Sequence, residues 1–177
     1  NNGAVIEDQR PAPAVLNIVH VDASAATPGT GSPREPYQAI SSAMTRVVAG
    51  GTVLVAAGTY AGGFGPSVGM NLFGPNVGIS PNGGSRVAEA VINTGSPAIR
   101  VSTTSPVVIE GFSFDGTGLA IDSYTDQADI TIRHNRFVHC TAMTFYFNNP
   151  LLTFDDNYLS QLADDECLFV AGNWNGT

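Results

Sequence analysis

Three stretches of this chain can be laid on one another, and that periodicity restricts the fold more than any other feature of the sequence. PAIRVSTTSPVVIEGFSF, LAIDSYTDQADITIRHNRF and MTFYFNNPLLTFDDNYL align with their apolar residues in shared columns. Ile109, Ile132 and Phe154 share one column, and Val107, Ile130 and Leu152 the column two places earlier. Phe114, Phe137 and Leu159 form a third, Leu119, Met143 and Cys167 a fourth, and Ile121, Phe145 and Phe169 a fifth. The spacing within columns is about 22–24 residues, the length of one turn of a β-solenoid. Inward columns alternate with outward ones at period two, as strands require. An antiparallel sandwich also gives short alternating strands between turns, but it does not place them in register at a fixed period. The reading is therefore all-β, a single-stranded parallel β-helix of about five to six rungs.

The residues before this repeat prepare its first end. Residues 1–17 contain Pro11-Ala12-Pro13 and read as an extended lead-in, leaving 18–177 for the β-helix. Ile18, Val19 and Val21 read as a short strand, followed by a Gly/Pro/Ser loop. Tyr37, Ile40, Met44 and Val47 fall at helical spacing and predict one amphipathic α-helix over about 36–48, stopped by Gly50-Gly51. TVLVAAGTY then alternates as a strand. VDASAATPGTGSPREPYQAISSAM followed by GGTVLVAAGTY resembles the N-terminal cap of secreted right-handed parallel β-helix proteins of the pectate-lyase-like superfamily, over residues 18–60. NLFGPNVGISPNGG with EAVI, residues 71–92, resembles their early rungs, with a loop inserted between strands. The resemblance implies a right-handed coil capped by the helix, a first rung near Thr52, and an extracellular or cell-surface location.

Composition narrows the partners. The 177 residues are one domain's worth of chain. Lys+Arg number 7 and Asp+Glu 15, a net charge of −8, and every cation is arginine. Nucleic acid needs clustered positive charge to displace counterions, so it is excluded as a partner, as are anionic membrane surfaces. The longest apolar stretch is broken by glycines and falls short of the roughly 18 residues of a spanning helix, so no membrane insertion is expected. The chain opens without Met or a signal peptide, so the expectation is a processed or excised piece of a longer product.

Several polar positions are candidate site residues. Glu110, Arg133 and Asp155 fall in one outward column, with strands about 4.8 Å apart, so the arginine is expected between two carboxylates. The column reads as an exposed charge ladder or as a sugar-binding set. His134 and Asp156 stack at the following corner, where a histidine beside an aspartate can support acid–base work. Asn135 and Asn157 come next and read as a structural amide ladder tolerant of left-handed backbone. His20 and His139 read as isolated. Asp122, Asp126 and Asp129 cluster in one expected loop, and Asp164, Asp165 and Glu166 in the next. They are calcium candidates by ligand type, without an Asp-x-Asp-x-Asp-Gly loop; no other cofactor is expected. Tyr124, Tyr146 and Trp174 are aromatic candidates for sugar contact, Trp174 standing nearest the end. Cys140 and Cys167 are either one disulfide or two buried thiols.

Many proteins of the resembled superfamily are polysaccharide lyases, hydrolases or epimerases. A lyase needs a base beside the uronate carboxylate. The resemblance implies a lysine there in several enzymes, and this chain has none. The aspartate, Asn-Thr-Asp and Gly-His-Gly patterns of the hydrolases are missing too, although Asp155-Asp156 and Asp164-Asp165 are adjacent pairs. The sequence ends at ECLFVAGNWNGT, in mid-rung and with no cap evident. A bare solenoid end exposes unpaired backbone, and a head-to-tail contact that does not close builds a filament. The expected function is an extracellular structural or adhesive module, assembling end to end as a homo-oligomer or filament, or forming part of a longer surface protein. A polysaccharide-active or carbohydrate-binding β-helix is the alternative. Ice binding would need more stacked outward threonines than Thr131 and Thr153.

Overall fold

Among the described residues every pair of named strands is parallel, and the pairing links residues one repeat apart. The computed structural model describes residues 15–26, 28–123, 128–147, 151–160 and 169–172. Strand β1 (Leu16–Val21) precedes the only helix among them, α1 (Ile40–Met44). Then follow β2 (Val47–Val55), β3 (Gly58–Tyr60), β4 (Met70–Phe73), β5 (Ala90–Ile92), β6 (Ile99–Val101), β7 (Val107–Glu110), β8 (Ser113–Asp115) and β9 (Leu119–Ser123). The last strands are β10 (Ile130–Arg133), β11 (Arg136–Val138), β12 (Ala142–Phe147), β13 (Leu152–Asp155), β14 (Tyr158–Ser160) and β15 (Phe169–Gly172).

The strands form three sheets: β1-β2-β4-β7-β10-β13, β3-β5-β8-β11-β14 and β6-β9-β12-β15. The chain places one strand in each sheet and then returns to the first, as in β7, β8, β9 or β10, β11, β12. The fold is thus all-β, built of parallel sheets with a single short helix, and compatible with a parallel β-helix. Short strands separated by tight turns suit this path, because each corner is turned in two or three residues. At the corner after the first sheet the turning residue is left-handed: Gly111 (φ 83), His134 (φ 54) and Asp156 (φ 41).

The core is the stack of inward columns. Val19, Val53, Leu72, Ile109, Ile132 and Phe154 face one another in the first sheet, and Tyr60, Ile92, Phe114, Phe137 and Leu159 in the second. Phe114 and Phe137 stack at 4.8 Å with 9° between their planes. Tyr60 is buried too, and its hydroxyl accepts from the Ala23 N–H (3.0 Å) and donates to the Ala56 carbonyl (2.9 Å), tying two corners together.

The first three expected columns therefore match the pairing, and the other two do not. Leu119 faces Ala142, Ile121 faces Met143, and Phe145 faces Ser123 and Val170; Phe169 faces Thr144. The register slips between Ala142 and Met143, where β9 carries Ala120 as an extra residue, and β12 separately pairs with β15 one residue off the expected alignment. Cys167 lies outside the described residues.

The helix is shorter than its spacing predicts. Tyr37 forms a bridge with Val21, and Val47 opens β2 opposite Leu16. The isolated bridge at Tyr37 and strand β2 flank α1, which buries Ile40, Ala43 and Met44. Gly50-Gly51 does not stop a helix; it lies inside β2. There Gly50 adopts φ 77 where the β1 register shifts, a bulge that glycine permits. β1 also begins at Leu16, inside the segment read as a lead-in, and TVLVAAGTY divides at Ala56-Ala57 between β2 and β3. The expected insertion is present as residues 74–89, between β4 and β5.

Candidate functional site

The polar residues gather where this inserted loop lies against the corner that follows the first sheet. Glu110, Arg133 and Asp155 occupy one register, as the column alignment requires. Their environment corrects the expected ladder. Glu110 is 1% exposed because the loop covers it, and the Gly78 N–H donates to its Oε1 at 2.8 Å. Arg133 Nε donates to Glu110 Oε2 at 2.7 Å, and the arginine turns to this carboxylate alone, leaving Asp155 exposed at the end of the row. His134 Nδ1 lies 2.7 Å from Glu110 Oε1, while its Nε2 is 3.6 Å from Asp156 Oδ2.

Asp156 carries the contact outward to the loop. Its Oδ1 accepts from Ser80 Oγ and Asn82 Nδ2, both at 2.9 Å. Arg86 closes the other side of the loop. Its NH1 donates to the carbonyls of Ile79 (2.8 Å) and His134 (2.9 Å), while Nε and NH2 clasp both Glu89 oxygens. Asn76, fully buried, donates to Glu89 Oε2 (3.0 Å) and accepts from the Val87 N–H (2.8 Å). The expected His134–Asp156 pairing is therefore present, but within a larger set that sequence reasoning missed. The available signal was positional: the Gly/Pro/Asn insertion occupies the circuit directly before Glu110, with Arg86 and Glu89 three residues apart inside it.

Burial pushes the Glu110 carboxyl up, but hydrogen bonds from His134, Arg133 and the Gly78 amide outweigh it and hold the group below the ordinary glutamate range. Asn82 and Ser80 hold Asp156 below the aspartate range, with the His134 and Arg86 charges adding to their effect. A carboxyl depressed in the folded state stabilises it fully above the unfolded-state value, and that contribution is lost as pH falls through the folded-state value. Loosening of the loop is therefore expected below about pH 4, read by NMR as loss of the Gly78 amide's protection. Glu110→Gln should show no such acid transition at Gly78, and an unchanged one would remove Glu110 from the account.

Behind the ionic set runs the expected amide ladder. Asn135 Oδ1 accepts from the Phe112 N–H (2.9 Å), and Asn135 Nδ2 donates to the Ile109 carbonyl (2.9 Å). One circuit on, Asn157 Oδ1 accepts from the Asn135 N–H (3.0 Å), and Asn157 Nδ2 donates to the Ile132 carbonyl (2.8 Å). Left-handed backbone falls on the preceding residue, His134 or Asp156, not on the asparagines.

The other candidates separate. Asp122 lies on β9 rather than in a loop, fully buried, with its carboxylate paired to Arg100 at 3.0 Å. Asp129 is exposed and accepts from the Leu151 N–H at 3.0 Å. Among the described residues no three acids, histidines or cysteines converge as a metal site. Asp126, Asp164, Asp165, Glu166, Tyr124 and Trp174 lie outside the described residues, as does the Tyr146 side chain. Cys140 is a free, buried thiol that accepts from Thr117 Oγ1 at 3.2 Å. His139 is not isolated: its Nδ1 is 2.9 Å from Asp115 Oδ1 on the surface. A shallow groove also crosses the outer face of the first sheet, floored by His20, Leu54 and Phe73 and flanked by Pro33, Pro36 and Pro75. Comparison with known families, with curated proteins and with solved structures gives no match.

Proposed function

We propose that this chain is a right-handed single-stranded parallel β-helix of the pectate-lyase-like kind, acting as an extracellular structural or adhesive module that stacks end to end with a second copy or forms part of a longer surface protein. Right-handedness follows the near-universal hand of parallel crossovers. One observation supports the functional reading: among the described residues, the apolar columns are less covered at their last members. Ile130, Ile132 and Phe137 are fully buried, whereas their partners one circuit on, Leu152, Phe154 and Leu159, are only partly buried. Beside them Leu151 is 66% exposed. At the opposite end α1 covers the columns. Exposed apolar side chains beside sheet edges are the usual template for added strands, and repetition of such a contact gives an open stack.

Light scattering of the 177-residue chain, with electron microscopy, is expected to show association that rises with concentration. Leu151→Asp should abolish it while leaving the circular dichroism of the fold intact. A chain that stays monomeric at high concentration sinks this reading. The groove over His20, Leu54 and Phe73 favours a second one, polysaccharide binding, because an aromatic ring on a flat face can stack on a sugar. A monomer retained on an acidic polysaccharide, with or without calcium, would bring that reading to the front.

A further inference from the structure

The loop's anchor at Asp156 depends on one side chain that can change its own chemistry. Asn82 is followed by Gly83, both exposed. Gly83 has open space where a Cβ would stand, so no side chain crowds the Asn82–Gly83 link on that side. The Asn82 amide donates to Asp156 Oδ1 (2.9 Å) and to the Asn157 carbonyl (3.4 Å). We propose that Asn82 is a spontaneous deamidation site, and that its conversion irreversibly breaks the Asn82 tether of loop 74–89 to the Asp156 corner.

The chemistry balances with water alone. The Gly83 nitrogen loses its proton to solvent and attacks Asn82 Cγ; the Nδ2 nitrogen leaves as ammonia. Water then opens the five-membered imide at either carbonyl, giving aspartate or isoaspartate. Either product replaces a donor with a carboxylate facing the Asp156 carboxylate, and two like charges at that separation repel. Ser80 Oγ and the Arg86 contact to the His134 carbonyl would remain, so the loosening begins at Asn82 and Gly83. In the intact protein the hydrogen bond to Asp156 restrains the amide. Conversion is therefore slower than in a free peptide of the same sequence, by about tenfold to a hundredfold, the protection one charge-assisted hydrogen bond gives.

The test is incubation of the full chain in warm, mildly alkaline buffer, followed by unfolding and tryptic mass spectrometry. The fragment between Arg46 and Arg86 carries Asn71, Asn76 and Asn82 together, so the two other asparagines are internal controls. The mass gain of an amide-to-acid change is expected at Asn82, with isoaspartate among the products, and faster in Asp156→Ala. Asn82→Asp should lower Gly78 amide protection by about tenfold or more, with the Ile132 amide in the core unchanged. Conversion more than about a thousandfold slower than the free peptide, or wild-type Gly78 protection in Asn82→Asp, overturns the proposal.

Discussion

Phe137→Ala is expected to lower the unfolding free energy by about 3–5 kcal/mol, the usual range for a fully buried phenylalanine. Its ring is fully buried and stacks between Phe114 at 4.8 Å and Phe154 at 6.1 Å. Removing it opens a void between the Phe114 ring on the neighbouring strand β8 and the Phe154 ring on β13 of the first sheet. Those strands are held at constant spacing by the ladder hydrogen bonds, so the site cannot collapse and the cavity contribution persists. Phe137→Leu keeps most of the volume and should cost about 1–1.5 kcal/mol. Urea denaturation gives both values. Equal losses for alanine and leucine would show that the rings do not act as one packed column.

Asn135→Ala should be nearly as damaging, at about 2–4 kcal/mol, since each buried group left without its partner costs about 1–3 kcal/mol. The side chain serves the Phe112 N–H and the Ile109 carbonyl, both at the corner after β7 and both out of reach of water. Alanine supplies neither group. Asn135→Asp retains the acceptor but loses the donor and buries a charge, so it should be no milder. Asn157→Ala should be distinctly milder, because its side of the stack is half-exposed. The same denaturation series ranks the three. A neutral Asn135→Ala would mean that the corner backbone finds other partners.

Those two residues also mark how far the sequence could be read. The columns through Ile109, Ile132 and Phe154 and through Phe114, Phe137 and Leu159 were legible because every strand in them keeps strict alternation and every step is nearly one repeat. The third sheet was not, because the step between paired residues changes along it: Ala120 is an extra residue in β9, and β12 pairs with β15 at a longer separation than with β9. The helix was over-read because Tyr37, an isolated bridge before α1, and Val47, the start of β2 after it, fall by coincidence at helical spacing. Glu110 was placed in its column correctly but read as exposed, since an alignment of repeats contains no information about a non-repeating loop folded over it. The His139–Asp115 pair was within reach: the partners lie 24 residues apart, one repeat plus a position.

Stacked layers of this kind touch only the layer before and the layer after, and a tether pulling on β13 would strip them away singly, like pages from a pad. The bonds from Ser80 and Asn82 to Asp156 run across three layers and join residues 76 and 74 positions apart in the chain. Loop 74–89 is thus a binding through several pages. Under load the layers between β4 and β13 should let go together, at a single rupture force, and the sawtooth of separate events should return once that binding is cut.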